Sequence, residues 1–117
     1  MSVKRLLSAG FFLVPCALAA APPADEGFRK LSGRKIRQTF AGRTFSDDVH
    51  FSFRYAADGS IQGGAMGRKI DRRWRIERDL LCVTESVGEN CYVVWKKGNA
   101  VKLLFDGNDA GTEGFVR

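Results

Sequence analysis

The chain has one histidine, His50, in 117 residues. That scarcity excludes multi-histidine metal centres and leaves little from which to assemble a serine–histidine–aspartate relay. No serine stands in a Gly-x-Ser-x-Gly elbow. Gly63-Gly64 with Gly67 is too short for a phosphate-binding glycine loop and follows no Rossmann-like strand. Long apolar runs are also missing. The most apolar stretch, Leu6 to Leu18, is interrupted by Ser8, Gly10 and Pro15 and falls short of the ~20 residues that span a bilayer as a helix. There is no internal repeat and no low-complexity segment. These absences lean away from an enzyme and imply no cofactor, no bound metal and no stable membrane insertion.

The first twenty residues read as an address rather than as structure. Lys4 and Arg5 form a positive start, the apolar stretch follows, and Ala17-Leu18-Ala19 supplies the small residues a signal peptidase requires. Cleavage is expected after Ala19, because a cut after Ala21 would leave Pro22 first. The segment 1–19 is therefore expected to be a signal peptide, 20–27 an extended leader and 28–117 a single small domain. Cys16 raises the alternative of lipidation, but Pro15 is a poor residue to precede an acylated cysteine. Removing nineteen residues from 117 leaves 98, lowers the formal net charge from +6 to +4 and reduces three cysteines to two. An even pair in an oxidising compartment predicts one disulfide, Cys82–Cys91, and a periplasmic or secreted protein.

Within the domain the patterning changes once. Ser32 as N-cap, Ile36 and Phe40 four apart, and Gly42 as stop predict a short amphipathic helix between Leu31 and Gly42, with Arg34, Lys35 and Arg37 outside. Strand patterns follow. Val49, Phe51, Phe53 and Tyr55 alternate with polar residues, and Asp58-Gly59 is a hairpin turn. Ser60 to Gly67 reads as a glycine-rich or bulged strand. Ile70, Trp74 and Ile76 oppose Asp71, Arg73, Arg75 and Glu77. Leu80–Glu85 and Cys91–Lys97 flank a turn, Lys97-Gly98-Asn99 leads into Val101, Leu103 and Phe105, and a polar loop over 106–114 precedes Phe115-Val116. The fold class is mainly β: an antiparallel meander of about six to eight short strands, curled into a small barrel or half-barrel with one N-terminal helix.

Cys82 and Cys91 are symmetric about their turn, which sets them opposite each other on paired strands, where a disulfide can form. Redox cysteines stand two residues apart at a helix start, so this pair is structural. The same hairpin is apolar on both faces. Leu80, Cys82, Cys91, Val93 and Trp95 share one, and Leu81, Val83, Tyr92 and Val94 the other. Strands apolar on both sides require cover. The helix laid on the outside of the sheet is one expected cover, and a second copy of the chain is the other.

Three clusters are candidates for chemistry. Arg68, Lys69, Arg72, Arg73, Arg75 and Arg78 make a basic stripe around Trp74. An anionic ligand would be bound by Arg73 and Arg75, with Trp74 between them, and by Arg54 of the aromatic strand. Against this, alternation turns Trp74 away from Arg73 and Arg75, toward the core, and leaves a solvated strand face. Asp47, Asp48 and His50 could form an acid/base or metal group, with Asp48 and His50 expected on one face. Asp106 to Gly111 partly echoes a calcium loop, but Ala110 and Arg117 occupy positions where ligands are needed. A plain glycine/aspartate turn explains the same residues.

The order of these pieces resembles a group of short, exported, largely uncharacterised proteobacterial proteins. The shared pattern is a helix before a glycine (Ile36, Phe40, Gly42) and an aromatic strand into Asp-Gly (Phe53, Tyr55, Asp58, Gly59). A tryptophan strand into Leu-Cys (Trp74, Ile76, Asp79, Leu81, Cys82) and a second cysteine with an aromatic and a glycine turn (Cys91, Tyr92, Gly98) complete it. The chain departs from it at Arg72, where a glycine often stands. This resemblance implies a lipocalin-like small β-barrel and carries no catalytic residue. The expected function is a non-catalytic binding module for a small apolar or anionic envelope ligand, acting as a monomer or homodimer. A structural or accessory envelope protein is the alternative, and a hydrolase using His50 with Asp48 the third reading. Nucleic acid is a poor partner outside the cytoplasm.

Overall fold

A computed structural model describes residues 22–105 and 111–117. The expected signal segment 1–19, Cys16 within it, and the 106–110 part of the calcium-like loop lie outside the described residues. A short 3-10 turn (Pro23–Glu26) leads to strand β1 (Arg29–Lys30) and helix α1 (Gly33–Phe40). Eight strands follow: β2 (Arg43–Ser46), β3 (Phe51–Tyr55), β4 (Ser60–Ala65), β5 (Arg68–Glu77), β6 (Leu80–Glu85), β7 (Gly88–Lys97), β8 (Ala100–Phe105) and β9 (Gly111–Val116). Each of these pairs antiparallel with its neighbour in sequence, and β9 returns to β2 through Phe45↔Val116 and Ser46↔Phe115. The result is a closed eight-stranded up-and-down barrel of lipocalin-like form, as expected. β1 lies beside β7 just past the end of β6, with Arg29 opposite Lys96 and Lys30 opposite Trp95.

Alternation along the strands fills the interior. Phe45, Tyr55, Ile61, Trp74, Leu81, Val83, Tyr92, Val94, Val101, Leu103 and Val116 form one buried cluster. The helix adds Ile36 and Phe40, both fully buried, to this cluster. Phe40 meets Phe45 and Tyr55 with ring centres 5.7 and 4.8 Å apart. The helix thus stoppers one end of the barrel instead of lying on its outer wall. This corrects the expected cover: the Leu81/Val83/Tyr92/Val94 face is the inside of the barrel, sealed by the strands opposite and by α1. It is not a surface that a second copy could occupy.

Local signals place the helix. Ser32 accepts a hydrogen bond from the Lys35 N–H at 3.4 Å, and Asp79, far along the chain, accepts from the Gly33 N–H at 2.8 Å. The helix ends at Ala41, whose backbone turns extended, and Gly42, at φ +76°, takes the left-handed conformation of the turn into β2, its N–H donating to the Tyr55 carbonyl at 2.7 Å. The strand assignments differ from the sequence reading in several places: β7 begins at Gly88 rather than Cys91, and β3 at Phe51, leaving Val49 exposed outside it. β1 and β2 were not expected, and residues 111–114 belong to β9 rather than to a polar loop. In β9, Gly114 is buried, and a Cβ there would collide with Phe45 and the Ser46 carbonyl. That crowding explains a glycine in a strand interior.

Cys82 and Cys91 are direct partners in the β6–β7 ladder and form the disulfide, on the outer wall with Arg75 opposite Cys82 on β5. Next to it the wall opens. The β5–β6 ladder runs from Glu77↔Leu80 to Trp74↔Val83 and stops. There the Thr84 hydroxyl accepts from the Arg73 N–H (2.8 Å) and donates to the Arg73 carbonyl (3.2 Å), standing in for main-chain partners. Beyond this point β5 pairs only with β4, and a gap bounded by Ile70, Arg72, Thr84 and Glu85 separates β5 from β6.

Candidate functional site: the barrel mouth

At the end opposite the helix the interior is not filled. A cavity of about 250 Å³ opens there, walled by Phe51 and Phe53 of β3, Tyr92 of β7 and Met66 of the β4–β5 turn, with Arg72 and Glu85 facing each other across the gap. Met66 is largely exposed at its lip, so the approach to the cavity is apolar.

Arg72 is inside for a simple reason of parity. It stands two residues before Trp74, and Trp74 is buried in the core. Its guanidinium lies 5.5 Å from the centre of the Phe53 ring, a cation–π distance. Glu85 points inward because it shares parity with Leu81 and Val83. Both its oxygens are committed: Oε2 accepts from the Tyr92 hydroxyl and Oε1 from the Asn90 amide, each at 2.8 Å. Burial first, and then the bond to Glu85, raise the Tyr92 phenol above its ordinary pKa, so it stays a neutral donor. Burial does the same to Tyr55 deeper in the barrel. Among the described residues Arg72 has neither an ion pair nor a hydrogen bond. The mouth is therefore a mainly aromatic and apolar cup that also presents His50, Thr112, the committed Glu85 and one guanidinium whose donors are unclaimed among the described residues. Such a cup can hold an apolar body and pair with an anion.

The residues expected to bind a ligand do not converge. Arg54, on the outside of β3, donates to the Gly42 carbonyl at 3.1 Å. Arg73, also outside, donates to the Asp58 carbonyl at 3.2 Å. Arg75 is held by Glu89 (2.9 and 2.8 Å) and Glu77 (2.7 Å). Trp74 faces inward, its indole N–H donating to the Ala56 carbonyl at 2.8 Å and its ring edge-on to Tyr55. Its cation partner is Arg37 of the helix, 5.2 Å from the ring, and not an arginine of its own strand.

The acid–histidine cluster is organised differently from the expectation. His50 pairs with Asp47, Nδ1 to Oδ2 at 2.7 Å, while Asp48 turns away to a two-pronged bond with Arg117 at 2.9 and 3.0 Å. Oδ1 of Asp47 also accepts from the N–H groups of Val49, His50 and Phe51. Partial burial pushes the Asp47 carboxyl upward, but these donors outweigh it and hold the group far below the carboxylate range. Asp47 is thus the staple of the β2–β3 turn. With Asp48 occupied by Arg117, the Asp48–His50 pair needed by the hydrolase reading is not formed. Arg117, bound there, is also no part of a calcium loop. Among the described residues, the one grouping of three metal-type side chains is Cys82, Cys91 and Glu89. Its two sulfurs are joined in the disulfide, so no thiolates remain to bind an ion.

Comparison of the chain with protein-family models, with curated proteins and with solved structures gives no match.

Proposed function

We propose that this protein is a non-catalytic binding module, exported to the periplasm or beyond, whose barrel mouth takes a small ligand with an apolar body and one anionic group. The observation that carries the reading is Arg72: a guanidinium with no ion pair or hydrogen bond among the described residues, lining a mainly aromatic and apolar cavity that also holds Glu85, His50 and Thr112. Glu85 is already committed to Tyr92 and Asn90, so a carboxylate or phosphate on the ligand would meet Arg72 donors that no described group claims. At about 250 Å³, just below the ~300–1,000 Å³ typical of drug-sized pockets, the cavity suits a short acyl chain or a single substituted ring. The disulfide supports an oxidising compartment. No helix among the described residues is long and apolar enough to cross a membrane. The resemblance to short exported proteobacterial proteins fits the same reading.

Calorimetric titration with octanoate and with 1-octanol tests it. Octanoate should bind about tenfold more tightly than the alcohol, as a charge-assisted bond requires. Arg72→Met should remove that difference while leaving binding of the alcohol. Finding neither probe bound, together with a protein that carries no small molecule in native mass spectrometry, would refute the proposal.

A further inference from the structure

A second site lies at the other end of the barrel. There the leader, helix α1, the start of β2 and the β7–β8 turn enclose an open groove of about 910 Å³. Six cations line it: Arg29 and Lys30 from β1, Lys35 from α1, Arg43 from β2, and Lys96 and Lys97 from the end of β7. No acidic residue is among its lining residues. Its floor is apolar, with Phe28, Leu31 and Trp95 half-buried beneath the charges.

Three cations outside the groove have carboxylate partners. Arg75 is matched by Glu77 and Glu89, Arg117 by Asp48 and Lys102 by Glu26. Of the two leader carboxylates between groove residues Ala24 and Gly27, Asp25 and Glu26, neither lines the groove, and Lys102 holds Glu26 at 2.6 Å. None of the six groove cations makes an ion pair among the described residues. Lys97 is positioned instead by a neutral partner, the Glu26 carbonyl, at 2.9 Å. Six like charges drawn to one concavity from four separate segments repel one another. Without a counter-anion the arrangement destabilises the fold. An anionic ligand turns that repulsion into affinity.

We infer that this groove binds a ligand bearing clustered phosphate groups. Two guanidiniums can each grip two phosphate oxygens, and the four ammonium groups act as point charges around them. The width of the groove argues for several charged groups side by side rather than one, and its apolar floor would accept the carbon skeleton that joins them. The site is independent of the mouth cavity, which lies at the opposite end, and neither inference requires the other. The same chemistry is offered by soluble polyphosphate and by phosphate headgroups packed in a bilayer.

Two probes separate these sources: inorganic tripolyphosphate in solution, and vesicles of phosphatidylcholine with phosphatidylglycerol in a ratio of about three to one. The purified protein should bind tripolyphosphate, with an affinity that falls steeply with salt. Lys30→Gln with Lys35→Gln should weaken that binding about tenfold, whereas Arg68→Gln with Lys69→Gln, an equal loss of charge on the barrel wall, should change it less than about twofold. All four side chains are exposed, so both variants should keep the wild-type urea midpoint. Co-sedimentation with the anionic vesicles, abolished by the groove variant alone, would assign the phosphates to a headgroup. Tripolyphosphate binding without vesicle binding would assign them to a soluble ligand. Equal losses from the two variants would mean that only net charge matters and would overturn the inference. Absence of binding to either probe would overturn it as well.

Discussion

Opening the Cys82–Cys91 bridge should leave the barrel folded but much less stable, and the structure supplies the magnitude. The cysteines are nine residues apart in sequence, and closing a loop of about ten residues removes roughly 2.7 kcal/mol of chain entropy from the unfolded state at 25 °C. The folded state should change little on reduction. The hairpin is held by a ladder from Leu80↔Val93 to Glu85↔Gly88 and flanked by β5 and β8. Nearly all of the effect therefore falls on the unfolded side. In a domain of this size a loss of about 2.7 kcal/mol corresponds to a fall in melting temperature of about 10–20 °C. Urea unfolding of the oxidised protein, the reduced protein and the Cys82→Ala/Cys91→Ala variant is the assay. The reduced protein should show a lower midpoint, and a steeper dependence on denaturant once its unfolded state can expand. The alanine variant should lie slightly below it, because Cys82 is fully buried and its sulfur would be lost from the packing. A shift under about 1 kcal/mol would refute the loop-entropy argument. Loss of all cooperative unfolding on reduction would show instead that the bridge holds the native hairpin together.

Two further perturbations address the helix and the β2–β3 turn. Phe40→Ala should cost about 3–5 kcal/mol, since a fully buried ring would be removed from the stopper of the barrel; a denaturant midpoint displaced by less than about 1 kcal/mol would contradict a helix seated inside. Asp47 has a depressed folded-state pKa, so its contribution is fully present above its unfolded value near 3.8 and is lost as pH falls toward the folded value. Asp47→Ala should accordingly be less stable than wild type at neutral pH, with the gap closing as pH is lowered from about 5 to about 2; a gap constant across that window would show that the carboxylate charge plays no part.

Much of the barrel was legible because period-two alternation is a local signal. Phe51, Phe53 and Tyr55, or Leu81 and Val83, reveal a wall by themselves. The Cys82–Cys91 register followed from symmetry about one turn. A barrel closed through Phe115-Val116 was within the sequence reading, but local patterns did not say which face of the two-sided hairpin closure turns inward. A hairpin apolar on both faces looked like a sheet in need of cover, and only the β9–β2 pairing shows that one of those faces is interior. β2 escaped notice because Arg43-Thr44-Phe45-Ser46 holds a single large apolar residue, and the first half of β9 because its interior position is Gly114. At the mouth the signal was present but unused: Arg72 shares parity with Ile70 and Trp74, so alternation alone set it inside while its neighbours Arg73 and Arg75 faced out. Grouping the arginines by nearness in sequence obscured that difference. The groove at the helix end had no such signal, since Lys30, Lys35, Arg43 and Lys96 are brought together only by the fold.

The gap between β5 and β6 also bears on how the molecule moves. Where Thr84 replaces the ladder, the Arg73 amide depends on one hydroxyl, and the strand edges beyond it have no partner across the gap. Amide hydrogens along that slit should exchange through small local openings instead of global unfolding. The Cys82–Cys91 bridge sits two residues from Thr84, at the closed end of the slit, like a rivet at the tip of a crack. Local openings that start at the mouth should therefore stop at the bridge, leaving the packing of the stoppered base unchanged.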